Sequence, residues 1–113
     1  MKKVSTNNAP HYIWGGNCDG WHLLKSDNLS VIQESVPPGS SEIMHFHNAS
    51  EQFFYVLSGT ATLEIDSEVY ILKNKEGCHV PAKTPHQLRN ESGEVLNFLV
   101  VSTPPSHGDK IEA

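Results

Sequence analysis

Turn-forming residues interrupt this sequence about every 8 to 12 residues, and the segments between them are short. Several segments alternate apolar and polar side chains, as residues 60–66 (TATLEID) do. No segment shows helical periodicity over three turns. The pattern predicts an all-β sandwich or barrel of about ten strands. The predicted strands cover residues 12–14, 21–24, 29–36, 41–47, 52–57, 60–66, 69–72, 77–81, 86–90 and 95–102.

Length and charge narrow the class of protein. A chain of 113 residues indicates one domain. A net charge of −5 with no basic run argues against a nucleic acid or an anionic membrane as partner. No apolar segment follows the first three residues, and no apolar run approaches 18 residues, so we expect a cytoplasmic protein. Cys18 and Cys78 are expected to be reduced thiols, and residues 1–10 and 104–113 to be loose.

Two histidines, His45 and His47, stand two positions apart in one predicted strand. Alternate side chains of a strand share a face, so both imidazoles point the same way. Gln52 opens the next strand, and His86 opens a later one after a proline-bounded turn. If the barrel closes, three imidazoles and one oxygen ligand meet, a set that suits a divalent first-row metal with open positions.

The spacing of these residues resembles the cupin superfamily. The first cupin motif matches residues 39–59, with Gly39, His45, His47, Gln52 and Gly59 at its marked positions. The second matches residues of about 75–90, with Pro81, Lys83, His86 and Asn90. The resemblance implies a single small cupin domain over residues 1–113, folded as a double-stranded β-helix or jelly-roll barrel. It also implies a metal held by His45, His47, the residue at position 52 and His86.

The chain departs from the family motifs at three positions. Gln52 stands where the family carries glutamate, while Glu51 is one residue early and should face outward. Lys75 and Lys83 stand where the family carries glycine. With a neutral Gln52, the ligands cancel none of the metal's charge. We therefore expect weaker metal binding but a more Lewis-acidic ion, with a lower pKa for its bound water. The spacing leaves Fe, Mn, Ni, Zn and Cu open.

The predicted pocket around the metal is mostly apolar. Alternation from Gln52 and His86 places four further side chains on the metal face: Phe54, Val56, Leu88 and Asn90. Trp14 and Trp21 flank the loop GGNCDG and either cap the barrel mouth or pack at a subunit interface or barrel end. Such a pocket favours a small aromatic or moderately apolar ligand over a sugar phosphate.

Two functions remain open from the sequence. One is a metal-dependent enzyme, dioxygenase-like or isomerase-like, acting on a small organic molecule. The other is a non-catalytic sensor or binding module for a small molecule, since cupins include both. Glu51, Glu64 and His79 would serve as a general base only if they faced inward. The short aromatic segment at the N-terminus could add to a partner's sheet edge, so we expect a homodimer.

Overall fold

Eleven strands and no helix make up the computed structural model, which describes residues 2–113. Within that range no helix is long and apolar enough to cross a bilayer. The strands are β1 (His11–Trp14), β2 (Cys18–Lys25), β3 (Ser30–Val36), β4 (His45–His47), β5 (Glu51–Ser58), β6 (Ala61–Ile65), β7 (Glu68–Leu72), β8 (Gly77–Val80), β9 (His86–Arg89), β10 (Leu96–Thr103) and β11 (Lys110–Glu112).

The strands form two antiparallel sheets that enclose the core. One sheet has the order β1-β2-β3-β10-β5-β8, and the other β11-β4-β9-β6-β7. Buried apolar side chains from both sheets fill the space between them, among them Phe54, Leu63, Leu88 and Phe98. The all-β jelly-roll barrel predicted from the sequence is confirmed.

Strand β10 lies at the centre of the larger sheet, between β3 and β5. Its residues alternate between buried and half-buried from Leu96 to Ser102, and Thr103 at the end is exposed. The inward positions include Phe98 in the core and Ser102, which lies opposite Gln52 of β5. The register of this strand therefore places a hydroxyl beside the candidate oxygen ligand.

Residues 41–47, predicted as one strand, are mostly a loop. Only His45–His47 is a strand, and Ser41 makes an isolated bridge to Arg89. Between them, the main-chain N–H of Glu42 donates to the carbonyl of Leu88 at 3.0 Å, and its carboxylate accepts the N–H of Leu88 at 2.9 Å. These bonds replace a regular ladder and turn Glu42 toward the barrel.

The C-terminal tail, expected to be loose, is paired with the small sheet. Lys110–Glu112 forms β11 and pairs with His45–His47. The carboxylate of Asp109 accepts three main-chain N–H groups, from Asn48, Ala49 and Ser50, at 2.9 to 3.1 Å. These N–H groups have no acceptor within the loop after β4, so the tail supplies the acceptor that they need.

Lys75 and Lys83 adopt the left-handed backbone conformation, with φ of 64° and 66°. Glycine adopts this region without the steric cost that a Cβ brings. These are the two positions where the family motif carries glycine. The chain therefore keeps the backbone conformation that glycine adopts there, although the residue is lysine.

Replacing Lys83 with glycine should stabilise the metal-free protein by about 0.5–1 kcal/mol, because the steric cost of left-handed lysine exceeds the extra entropy of unfolded glycine. The main-chain N–H of Lys83, which donates to the carbonyl of His47, is retained. Urea unfolding checks this. Lys73→Gly, outside the left-handed set, serves as control and should lose stability. A less stable Lys83→Gly protein would contradict the prediction.

Candidate metal centre

Three buried histidines lie close together on the inner face of the smaller sheet. His45 and His47 lie on β4, and His86 lies on β9 directly opposite His45. Each side chain is at most 4% exposed. One ring nitrogen from each lies within 4.8 Å of the others. The strand pairing thus joins the two halves of the predicted ligand set.

Each of these rings donates its Nδ1–H to a main-chain carbonyl. The bonds run from His45 to Ile43 at 2.6 Å, from His47 to Asp109 at 3.1 Å and from His86 to Thr84 at 2.9 Å. A neutral imidazole that donates from Nδ1 carries its lone pair on Nε2. The backbone therefore holds all three rings in the tautomer and orientation that a metal ligand needs.

The Nε2 atoms lack suitable partners within residues 2–113. That of His47 is buried and has no hydrogen-bond partner. That of His86 faces Oε1 of Gln52 at 3.1 Å, while Nε2 of Gln52 donates to Oγ of Ser102 at 3.0 Å. In this orientation the amide offers its oxygen beside the lone pair of the imidazole, an arrangement that a cation between the two atoms makes favourable. These residues therefore fit a divalent metal held by three imidazoles and one amide oxygen.

Burial keeps the three rings neutral. It lowers the pKa of His45 to about 4, and the carbonyl of Ile43 offsets only part of that effect. The pKa values of His47 and His86 are also lowered, again mainly by burial. Neutral imidazoles at pH 7 bind a metal without first losing a proton.

His45, His47 and Gln52 line a cavity of about 270 Å³ between the two sheets, and His86 lies buried behind them. Two carboxyl groups line it, Glu34 from β3 and Glu42 from the loop before β4. Burial raises the pKa of Glu34 to about 7 and that of Glu42 to about 8. The cavity thus combines metal-type ligands with carboxyl groups that titrate near neutral pH.

A model of the cupin domain matches residues 32–102, which include all four candidate ligands. The chain belongs to the cupin family. An uncharacterized protein of Methanocaldococcus jannaschii is 34% identical over 89 residues, which cover 78% of this chain and 71% of that one. The cupin spans half or less of the length of several other curated relatives.

Solved structures show the same fold. The polyketide cyclase RemF from Streptomyces resistomycificus matches with a TM-score of 0.81 at 24% identity, over 93% of this chain and 80% of that chain. A cupin-superfamily sugar phosphate isomerase from Silicibacter pomeroyi matches with a TM-score of 0.77 at 20% identity, over 92% and 76%. At these identities the likeness establishes the barrel.

Of the further side chains that the sequence placed on the metal face, Phe54 lines the cavity of this cupin. Val56, Leu88 and Asn90 are 1% exposed and lie in the packed core. Asn90 has a structural role there, because its Nδ2 donates to the carbonyls of Val36 and Glu94. The inward face of each strand thus extends beyond the cavity, and alternation cannot tell its open part from its packed part.

Neither tryptophan lines the metal cavity. Trp14 packs against the core, with its Nε1–H donating to the carbonyl of Asp19 at 3.1 Å. Trp21 is paired with His11 and their rings lie 5.3 Å apart. Tyr12, from the same short strand as Trp14, lines the cavity together with Phe54. The idea that the two tryptophans cap the mouth is therefore wrong for this cavity.

The candidate bases named from the sequence face away from the cavity. Glu51 and His79 form an exposed hydrogen bond at 2.9 Å, and Glu64 forms an ion pair with Arg89 at 2.8 Å. The carboxyl groups that do line the cavity are Glu34 and Glu42. Glu34 lies two residues from both Ile32 and the buried Val36 on one strand, so alternation could have found it. Glu42 follows no such pattern.

Replacing Gln52 with glutamate should tighten binding of Zn²⁺ by about tenfold, because a carboxylate adds the negative charge that the neutral ligand set lacks. The hydroxyl of Ser102 can donate to that carboxylate, so the new side chain keeps a partner. Competition with a chromophoric chelator measures the affinity. Gln33→Glu adds the same charge on a strand position outside the cavity and should change nothing. Equal effects of the two substitutions would contradict the prediction.

The metal-free protein should lose about 1–2 kcal/mol of stability between pH 6.5 and 8. The pKa of Glu42 is raised from 4.5 to about 8 and that of Glu34 to about 7, so the folded state holds protons that the unfolded state has lost, and stability falls as pH rises, with Glu42 giving the larger part. Below pH 6.5 the lowered pKa of His45 acts in the opposite direction. Urea unfolding at both pH values checks this. Glu42→Gln should flatten the slope, whereas the exposed Glu112→Gln should keep it, and an unchanged slope in Glu42→Gln would refute the assignment.

Proposed function

We propose that this cupin is a metal-dependent enzyme that moves a proton on a small organic molecule, an isomerase-like reaction. One observation carries the proposal. The cavity lined by His45 and His47, two of the candidate metal ligands, is also lined by two carboxyl groups with pKa values near neutrality. Carboxyl groups of this kind suit general acid–base catalysis at pH 7.

The two carboxyl groups take different roles. Glu34, with a pKa of about 7, is the base, since a large fraction of it is ionised at neutral pH. The Oη–H of Tyr12 donates to its Oε2 at 2.6 Å and orients it. Glu42, with a pKa of about 8, remains mostly protonated and is the acid. A pair of carboxyl groups with separated pKa values can remove a proton at one atom and return one at another.

The reaction class follows from these roles. A bound divalent metal would supply Lewis-acid polarisation of a substrate carbonyl. Glu34 accepts a proton from the carbon beside that carbonyl, and the electron pair of the broken C–H bond moves into the carbonyl. Glu42 delivers its proton to the substrate, and transfer of the proton from Glu34 to Glu42 restores both groups. Atoms and charge balance without an oxidant.

Gly20 supports the position of Tyr12. A Cβ at residue 20 would overlap the ring of Tyr12, so the absence of a side chain on β2 makes the space in which the ring lies. Tyr12 thus reaches Glu34 across β2, because β1 pairs with β2 and Gly20 pairs with Glu34. The three residues form one supporting contact for the proposed base.

Two fold neighbours are named as enzymes, which supports an enzyme as the proposed class of protein. The fold neighbours include a protein named a polyketide cyclase and one named a sugar phosphate isomerase. The substrate of this chain does not follow from the fold, because one type of barrel hosts several chemistries.

The experiment is hydrogen–deuterium exchange in D₂O, followed by proton NMR, with protein loaded with Zn²⁺, Mn²⁺, Ni²⁺ or Fe²⁺ and a panel of small ketones and hydroxyketones. We expect metal-dependent exchange at the carbon beside the carbonyl. Glu34→Gln should slow it by about 100-fold while Zn²⁺ affinity stays unchanged. Glu112→Gln removes an exposed carboxylate as the matched control.

Two results would replace this proposal. Oxygen uptake by the iron-loaded protein without proton exchange would point to a dioxygenase-like reaction. Saturable ligand binding with neither activity would point to a non-catalytic binding module. Exchange at equal rates in the wild type and Glu34→Gln would remove Glu34 from the mechanism.

We also propose a homodimer. Strand β1 is an edge of the larger sheet, and its Ile13 is 59% exposed. Phe53 and Leu57 on β5 expose further apolar surface, at 42% and 38%. A second copy would cover such groups and pair the open edge. Light scattering should give twice the monomer mass, and a stable monomer would contradict the proposal.

A further inference from the structure

A second cavity of about 320 Å³ adjoins the metal cavity. The two share part of their lining, including Tyr12, Ile32 and His107. The second cavity adds His22, Lys25 and Pro105. The two cavities therefore lie side by side along these residues.

An irregularity in β2 brings Lys25 to this cavity. His22 pairs with Ile32, and Lys25 pairs with Ser30, although three positions separate His22 from Lys25 and two separate Ile32 from Ser30. The extra residue is a β-bulge between His22 and Leu24. In a regular strand, residues three apart face opposite sides, so Lys25 would point away from the barrel. The bulge turns it to the inner side, as bulges beside functional sites do.

The imidazole of His22 adds a donor. Its ring lies 4.9 Å from the ring of Tyr12. Its Nδ1 is buried and has no hydrogen-bond partner in the described chain. An unpartnered buried nitrogen costs less as a bare acceptor than as N–H, so the proton resides on Nε2. His22 then presents an N–H group beside the ammonium of Lys25.

The third group comes from the C-terminal segment. His107 lies two residues before Asp109, whose hydrogen bonds hold that segment against the loop after β4. Within residues 2–113, Lys25 makes no ion pair with a carboxylate. In a protein with net charge −5, a lysine and two imidazoles around one cavity form a local anion-attracting centre.

We propose that this second cavity binds an oxyanion, a carboxylate or a phosphate, carried by the substrate whose reacting carbon lies in the metal cavity. The inference rests on the proposed function for the position of that carbon. Lys25, His22 and His107 hold the oxyanion. Ile32, Tyr12 and Pro105 contact the apolar part of the molecule. The apolar pocket predicted from the sequence disfavours a sugar phosphate, and the chain has a single arginine, Arg89, and so no arginine cluster. In the folded chain, the lysine that follows the β-bulge and two histidines take the place of an arginine cluster.

The test is isothermal titration of the chelator-treated protein with inorganic phosphate and, separately, with propionate. Removing the metal excludes binding of either probe to a metal ion. We expect saturable binding of at least one probe, and the probe that binds more tightly identifies the source of the oxyanion. Lys25→Ala should weaken binding at least tenfold, and His107→Ala should weaken it severalfold. Lys73→Ala, which removes the same charge from a residue lining neither cavity, should not.

Zn²⁺ affinity of the same variants separates this inference from the proposed function. Lys25→Ala should bind Zn²⁺ like the wild type. If the wild type bound an oxyanion but not Zn²⁺, the oxyanion site in the second cavity would be supported and the metal centre refuted. Two results would refute oxyanion binding in the second cavity: no saturable binding of either probe, or equal weakening by Lys25→Ala and Lys73→Ala. Neither result would affect the assignment of the metal centre.

Discussion

Replacing His86 with alanine should weaken binding of Zn²⁺ by at least about 100-fold, or roughly 2.7 kcal/mol. The substitution removes one of three imidazoles and also the partner of Gln52 Oε1. It leaves His45 and His47 on one strand with no ligand opposite them. Titration against a chromophoric chelator gives the affinity, and the rise in melting temperature on adding Zn²⁺ gives an independent measure.

His79→Ala is the matched control for this experiment. His79 is exposed and pairs with Glu51 on the outside of the barrel. Its loss should leave Zn²⁺ affinity unchanged and stability within about 1 kcal/mol of the wild type. If both variants bound Zn²⁺ like the wild type, the three buried histidines would be barrel-lining residues without a metal role. Circular dichroism confirms that His86→Ala keeps its fold.

Replacing Gly59 with alanine should destabilise the protein by about 3–5 kcal/mol. Gly59 has a φ of 93°, a conformation that alanine adopts only with strain. A Cβ there would also lie 2.6 Å from the main-chain oxygen of Val95. That oxygen belongs to the backbone just before β10, so it cannot move aside as a flexible side chain could. Urea unfolding of the metal-free protein measures the loss.

Gly39→Ala separates the two causes. Gly39 has a φ of 82°, close to that of Gly59, but a Cβ there would meet no atom within 4 Å. It should therefore cost only the conformational strain, about 1–2 kcal/mol. The difference between the two variants gives the cost of the clash with Val95. Equal losses would show that the backbone near Val95 relaxes to admit the methyl group.

The barrel and the histidine cluster could be predicted because both depend on short-range patterns. Turn residues at regular spacing mark the strands, and two-residue alternation places His45 and His47 on one face. His86 entered through the spacing of its own motif. The structure adds the register that puts His86 opposite His45. The glycines at positions 39 and 59 were also marked, and both have positive φ.

Residues that act through long-range pairing were missed. Asp109 bonds the loop at residues 48–50 across about 60 positions of sequence, and nothing in the local composition of the tail signals that contact. Glu42 faces the cavity because it bonds with Leu88. Lys25 faces its cavity because of a bulge, and a bulge reverses the alternation on which strand predictions rest.

The sequence by itself determined the class of fold and the chemical type of the candidate ligands, because hydrophobic period, turn chemistry and motif spacing are local properties. Only the tertiary structure decided which carboxyl groups lie near the histidines, that Tyr12 and not the tryptophans lines the cavity, and where the cationic groups gather. Those outcomes depend on strand register and on which sheet positions remain open between two packed faces. Register is settled by the whole set of strand pairings, so no single segment carries it.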